Sequence, residues 1–217
     1  PALVVCPSSL VSNWADECEK WVPELKIALH VGGQRGEILE ADIVITSYAI
    51  LRIDSEKFQA REFDIAILDE AQQIKNPDAQ ISKAAHHLNA KHRFALSGTP
   101  VENSLLDFWS IMEFALPGYL GPRKLFLERF EKPLRKGGDP ALARRLARKL
   151  KPVVLRRLKK EVAKDLPARI EQVRYCDLAP KQQGIYQQLL QESRSQVEAA
   201  DGGRKRMVAL TALLRLR

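Results

Sequence analysis

The sequence predicts an α/β domain with a mainly parallel sheet and helices on both faces, followed by a mostly helical, basic lobe. Three observations carry this. Strand-like and helix-like patterns alternate five times in roughly the first hundred residues, the mark of βαβ units. The strand candidates read as apolar runs, as strands covered on both faces do. After Pro117-Gly118 that grammar stops and basic amphipathic patterns take over. The expected organisation is therefore residues 1–118 as the α/β domain and residues 119–217 as a helical lobe.

The elements follow in order. Leu3–Cys6 is a short buried strand ended by Pro7, and Ser8-Ser9 are placed to cap a helix through about Trp21. That helix repeats Leu10, Val11, Trp14, Cys18, Trp21 and Val22 at three- and four-residue steps, so Trp14 and Trp21 read as core. Lys26–Val31 is a second strand, closed by a Gly32-Gly33 turn. Asp42–Thr46 is the third, running through Ser47-Tyr48 into a short helix. Phe63–Leu68 is the fourth, and Asn76-Pro77-Asp78 then opens a helix. His92–Leu96 is the fifth, ending in Ser97-Gly98-Thr99-Pro100. From Ser104 a helix follows with so little polar face that it must be buried.

In the second half, Pro122–Phe130 reads as helix, residues 132–140 as loop and residues 141–151 as a basic amphipathic helix. Arg169–Leu178 alternates enough for a strand, with Ile170, Val173 and Tyr175 on one face. Pro180 starts a long helix, Asp201-Gly-Gly203 breaks it, and a last helix begins at Arg204.

Composition narrows the function. With 45% hydrophobic and 29% charged residues, the chain is globular in type, and no apolar run approaches the ~18 residues of a membrane span. Cys6, Cys18 and Cys176 show no CxxC pairing, and the four histidines lack partners at ligand spacing, so neither a disulfide framework nor zinc is expected. The histidines read as surface residues. Charge is unevenly spread. Residues 1–120 hold 10 Lys+Arg against 17 Asp+Glu, a net of −7; residues 121–217 hold 25 against 10, a net of +15. A basic lobe beside an acidic one points to a polyanionic partner. The first residue is not Met and the last lie inside a helical pattern, so a piece of a longer protein is expected.

The chemistry concentrates where Ile65–Leu68 ends in Asp69 and Glu70. A buried parallel strand delivers acids to its C-terminal edge, where α/β proteins bind ligands. Such a pair suits Mg-nucleotide hydrolysis, one acid on the metal and one on the attacking water, although it also suits plain helix capping.

An ordered set of segments then decides between these. Val4–Trp14 (VVCPSSLVSNW), Asp42–Tyr48 (DIVITSY), Ile67–Gln72 (ILDEAQ) with Ile74–Pro77, Ala95–Ser104 (ALSGTPVENS), Leu155–Lys159 (LRRLK) and Leu166-Pro167 together resemble the SWI/SNF-related helicase-like ATPases, translocases of double-stranded DNA. The resemblance covers essentially the whole chain. It implies a RecA-like first lobe of P-loop NTPase type plus a helical insertion, and ATP with Mg as cofactors. Asp69 matches the Mg-coordinating acid and Glu70 the catalytic carboxylate. Gln72, at a position often occupied by His, makes the motif a DEAH-box variant and couples nucleotide state to motion. Ser97, Gly98 and Thr99 match the element linking the ATP site to DNA. Ser8, Ser9, Thr46, Ser47 and Tyr48 match strand-touching loops. Arg156, Arg157 and Lys159 match a basic segment that binds phosphates or packs on a second RecA-like lobe.

The expected partners are double-stranded DNA, DNA-bound proteins and that second lobe, with no membrane. The compartment is bacterial or archaeal cytoplasm, which Gln72 favours, or the nucleus of a eukaryote. No G-x-x-x-x-G-K-[ST] occurs in the sequence, so the chain alone is expected to be inactive. Rival readings are a strand-separating helicase and a non-catalytic nucleic-acid platform.

Overall fold

The apolar runs assemble into one six-stranded sheet in a computed structural model. It describes all residues except 36, 37, 39, 100–103, 138, 163–166, 168, 169 and 217, and the side chains of 34, 159 and 160. The strands are β1 (Ala2–Cys6), β2 (Ile27–Val31), β3 (Gln34–Arg35), β4 (Ile43–Ser47), β5 (Glu62–Leu68) and β6 (Asn89–Ala95). Their order is β3-β2-β4-β1-β5-β6, and every pairing is parallel except the β2–β3 hairpin. Register aligns the C-terminal ends: Cys6 faces Ser47, Val5 faces Leu68, and Leu68 faces Ala95.

Alternation along the strands feeds two cores. Leu3, Val5, Val44, Phe63, Ala66 and Leu68 point to the face covered by α2 (Tyr48–Ile53), α3 (Ser55–Gln59), α4 (Gln80–His86) and α5 (Leu105–Ala115). Val4, Cys6, Ile43 and Ile45 point to the other, covered by α1 (Val11–Trp21). Helix α5 serves two clusters, which explains its missing polar face. Ile111 and Phe114 enter the sheet core, while Phe108, Trp109 and Met112 pack with Leu120, Phe126 and Leu146. Phe126 and Leu146 belong to a small helical layer of α6 (Arg123–Phe126), α7 (Lys132–Arg135) and α8 (Pro140–Leu150), and Leu120 to the turn before it.

By internal contacts the chain forms two compact units, Pro1–Arg156 and Arg157–Arg217. The second contains α9 (Lys159–Val162), α10 (Pro180–Glu198) and α11 (Gly202–Leu216), of which α10 and α11 pack together.

Several elements depart from expectation. Ser8-Ser9 cap nothing through their side chains; residues 8–10 form a 3-10 turn closed by Leu10 N–H to the Pro7 carbonyl at 2.9 Å. Trp21 is 71% exposed, its indole donating to Glu17 at 2.7 Å, so only Trp14 of the pair is part-buried. His30 is not a surface residue. It is 2% exposed and meets the buried Asp54 at 2.9 Å, with Arg35 on the other carboxylate oxygen at 2.9 Å. β6 starts at Asn89, earlier than its apolar signal, because Lys91 points out to Asp64 at 2.7 Å on an edge strand.

The expected loop at 132–140 begins as helix α7, reached through a π turn over Leu127–Glu131. That extra residue per turn aims buried Glu131 at the N-terminus of α5, where it accepts from Leu105 N–H at 2.8 Å. The strand expected over Arg169–Leu178 is absent from the described residues 170–178. Ile170, Val173 and Tyr175 are all largely exposed there, and no neighbouring strand offers them a ladder. Pro100 to Asn103 of the fifth-strand motif and Leu166 lie outside the described residues.

Candidate active site

The aligned strand ends bring together residues far apart in sequence. Asp69 directly follows β5, and its N–H donates to the Val5 carbonyl at 2.8 Å, which extends the ladder one step. Its carboxylate is held on both oxygens: Oδ1 accepts from Glu70 N–H at 2.9 Å and Oδ2 from the Trp14 indole N–H at 3.0 Å. The Tyr48 hydroxyl donates to the Asp69 carbonyl at 2.8 Å.

Glu70 has φ 52° and ψ 51°, the sole non-glycine among the described residues with positive φ. Such a conformation costs about 1–3 kcal/mol unless neighbours fix it. Here it turns the chain sharply into a 3-10 turn, Ala71–Ile74, and lets Ala71 N–H reach the Leu96 carbonyl at 2.8 Å. Gln72 is thereby set against the end of β6. Its amide N–H donates to Glu70 Oε2 at 2.6 Å, and its amide oxygen accepts from the Ser97 hydroxyl at 2.7 Å. Ser97 Oγ in turn accepts from Thr99 N–H at 3.2 Å, across the exposed Gly98. A continuous hydrogen-bonded line therefore runs from Glu70 through Gln72 and Ser97 to Thr99.

The site is electronegative. Neither Asp69 nor Glu70 forms an ion pair among the described residues. Their charge is felt by neighbours: the Cys6 thiol is pushed up to about 11, first by burial and then by Asp69. Burial foremost, then Asp69, Cys6 and Glu70, also drives the Tyr48 phenol far above its usual range. Among the described residues no group of three or more His, Cys, Asp or Glu is arranged to hold a metal. One carboxylate with spare lone pairs beside a second is the donor set that suits Mg²⁺, which keeps its waters and takes other ligands from phosphates. The residues present fit that ion and do not make an all-protein cage.

The expected DNA-facing residues divide. Ser8 and Ser9 are exposed. Thr46 is fully buried and its hydroxyl donates to the His30 carbonyl at 2.7 Å; Ser47, also buried, accepts from Ile50 N–H at 3.4 Å and caps α2. Tyr48 is buried and committed to Asp69. Still, one open cleft of about 600 Å³ joins the two loops, lined by Ser8, Ser9, Ser47 and Tyr48 together with Arg52, Gln73 and Gln80. Arg52, Gln73 and Gln80 were not singled out from the sequence. Arg52 had one usable signal, a lone exposed cation in the short helix after Tyr48. Arg156 and Arg157 are exposed in irregular chain and Lys159 opens α9. Trp14, read as core, does pack against the cluster of Val4 and Ile45, and its indole N–H is in addition a polar partner of Asp69, which nothing in its spacing marks.

The family described as the SNF2-related domain matches residues 1–217. The chain belongs to this family. The SNF2-related domain is also similar to a solved structure, the Sulfolobus solfataricus SWI2/SNF2 ATPase core in complex with dsDNA. They share 37% identity with a TM-score of 0.70, over 100% of this chain and 46% of that one. The sheet thus matches the RecA-like fold of that SWI2/SNF2 ATPase core. Saccharomyces cerevisiae TATA-binding protein-associated factor MOT1 is 36% identical over 216 residues, covering 91% of this chain and 12% of its own length. Bacillus subtilis YwqA, named as an ATP-dependent helicase/translocase, is 34% identical over 226 residues, covering 100% of this chain and 24% of its own. The chain spans under a quarter of the length of these curated relatives. No helix among the described residues is long and apolar enough to cross a membrane.

Proposed function

We propose that this SNF2-related domain is the carboxylate-bearing part of a DNA-dependent ATP hydrolase that moves along double-stranded DNA and remodels protein–DNA complexes. The observation that carries the reading is the hydrogen-bonded line from Glu70 to Thr99, starting beside Asp69 at the C-terminal edge of a parallel sheet. Asp69 would hold Mg²⁺ directly or through water. A cation held there would supply neutralisation of phosphate charge. Glu70 orients the attacking water through the carboxylate oxygen that Gln72 leaves unoccupied. Gln72 reports the state of Glu70 to the Ser97–Thr99 loop.

Ser8, Ser9 and Arg52 are the members of the cleft that meet backbone phosphates. Thr46, Ser47 and Tyr48 fix its walls from inside. Arg156, Arg157 and Lys159 supply further phosphate contacts or meet a second RecA-like lobe. Such contacts are independent of base sequence and weaken as salt rises. A division into residues 1–118 and 119–217 assigns hydrolysis to the first part and polyanion grip to the second. The sequence contains no phosphate-cradling loop, so the 217-residue chain alone is proposed not to hydrolyse ATP. Gln72 favours a bacterial or archaeal cytoplasm as the compartment, with the nucleus if the source is eukaryotic; relatives of both kinds occur.

The test is Glu70→Gln in the complete protein. DNA-stimulated ATPase activity should fall by about 10²-fold or more. An unchanged rate refutes the catalytic assignment. A strand-separating helicase is the second reading, favoured by the helicase name of the bacterial relative. Triplex displacement without duplex unwinding supports translocation; efficient duplex unwinding supports the rival.

A further inference from the structure

A groove of about 750 Å³ lies in the helical layer after α5, away from the carboxylates. Its floor is apolar: Phe126 is fully buried and forms a tilted ring pair with Phe130, centroids 5.5 Å apart, with Leu125 and Leu142 alongside. Its rim is cationic: Arg129, Arg145 and Lys149 line it, and no Asp or Glu does. None of the three cations forms an ion pair among the described residues. Glu128, Glu131 and Asp139, the acids nearest in sequence, are outside the lining, and Glu131 is buried against the start of α5.

The groove is also preformed. Gly118 and Gly121 take the left-handed turns that start it, at φ 76° and 79°. The Trp109 indole ties Gly121 down at 3.0 Å. Across the opening, the Tyr119 hydroxyl donates to the Lys149 carbonyl at 2.6 Å, and the Lys149 ammonium sits 5.1 Å from the Tyr119 ring centroid. A pocket fixed before binding loses little entropy when filled.

We propose that this groove docks a short acidic peptide segment of a partner protein, anchored by leucine or aromatic side chains. The charge complementarity selects the occupant. A phosphate backbone would satisfy the three cations but has nothing to bury against Phe126, Phe130 and Leu142, because backbone recognition needs no apolar floor. An amphipathic acidic helix offers both, with anchors at four-residue spacing filling the floor and carboxylates meeting the rim.

The experiment titrates the full chain into a fluorescein-labelled peptide with Leu and Phe anchors four residues apart, flanked by glutamates. The same peptide with lysine for glutamate and a blunt DNA duplex serve as comparators. Anisotropy should show saturable binding of the acidic peptide and none of the lysine peptide, while duplex binding, which uses residues outside the groove, should not respond to the groove variants. The Arg129→Glu/Arg145→Glu double variant should weaken it by about tenfold, with an unchanged melting temperature. Phe130→Ala should weaken it at unchanged salt dependence. Equal binding of the lysine peptide, or indifference to the charge reversal, overturns the proposal. So does a result in which the reversal weakens duplex binding instead, since the face would then be a nucleic-acid surface. None of these outcomes depends on ATP hydrolysis, so they stand apart from the Glu70→Gln test.

Discussion

Among the described residues Gln72 is the single link between Glu70 and Ser97, at 2.6 and 2.7 Å, and that makes a sharp prediction possible. Gln72→Ala removes one hydrogen bond to a charged acceptor, about 1.5–3 kcal/mol, and one between neutral groups, about 0.5–1.5 kcal/mol. Glu70, Gln72 and Ser97 are half-buried, so water replaces part of both and the low end applies, about 2 kcal/mol. If that energy is realised while Glu70 orients the attacking water, kcat falls about thirtyfold. Ser97→Ala alone removes only the neutral bond, about 1 kcal/mol, and should lower kcat about fivefold. Since Gln72 already carries the connection, the double variant should be no slower than Gln72→Ala. The assay is DNA-stimulated ATPase turnover of the complete protein, with thermal unfolding as the control for folding. If the two effects multiply instead, Gln72 and Ser97 act independently and the line from acid to loop does not exist as a unit.

Three further outcomes follow from the same geometry. Trp14→Phe keeps most of the ring but removes the indole donor to Asp69 Oδ2; the Mg²⁺ concentration giving half-maximal ATPase should shift, with the melting temperature nearly constant. Asp54→Ala leaves buried His30 and the Arg35 guanidinium without their shared carboxylate. It should cost about 3–5 kcal/mol, a fall of roughly 2–4 °C per kcal/mol in calorimetry. The His86 imidazole is held below its ordinary 6.5, mainly by burial, while its Nε2–H donates to the Ser110 carbonyl at 2.9 Å. An unfolded chain then binds the proton first, so stability is full above pH 6.5 and declines as the pH drops through the lowered value. His86→Asn should flatten that slope in melting curves between pH 7.5 and 5.

The parallel sheet was legible because its central strands β1 and β4 are buried on both faces and β5, though half-exposed on one, still reads as an apolar run. Val4–Cys6, Ile43–Ile45 and Ile65–Leu68 announce themselves as apolar runs, and Asp69 and Glu70 stand where the last one ends. Less legible was whatever depends on partners distant in sequence. Trp14 has helical spacing like any core tryptophan, and only the fold sets its indole beside Asp69, 55 positions away. His30 looks like a surface histidine until Asp54 and Arg35 close around it. Arg169–Leu178 shows the converse failure: a period-two pattern states what a strand would bury but cannot supply a neighbouring edge. The π turn before α7 was invisible because no residue type marks it; its effect is to deliver Glu131 to the start of α5.

The chemistry of Gln72 fixes the direction of the line. A carboxylate oxygen accepts, so the amide N–H faces Glu70; the amide oxygen is then left for Ser97, whose hydroxyl must donate. Ser97 Oγ consequently has lone pairs free for Thr99 N–H, which sets the following loop. An imidazole at position 72 would do this only in particular tautomers, and protonation near neutral pH would turn both its nitrogens into donors, breaking the contact from Ser97. An amide has no such titration. The αL turn at Glu70 keeps the same argument geometric: without it, Ala71 N–H would not reach Leu96 and Gln72 would not lie opposite Ser97. With Gln72 in place, the polarity of the link between carboxylate and loop is independent of pH across the range where a histidine would switch.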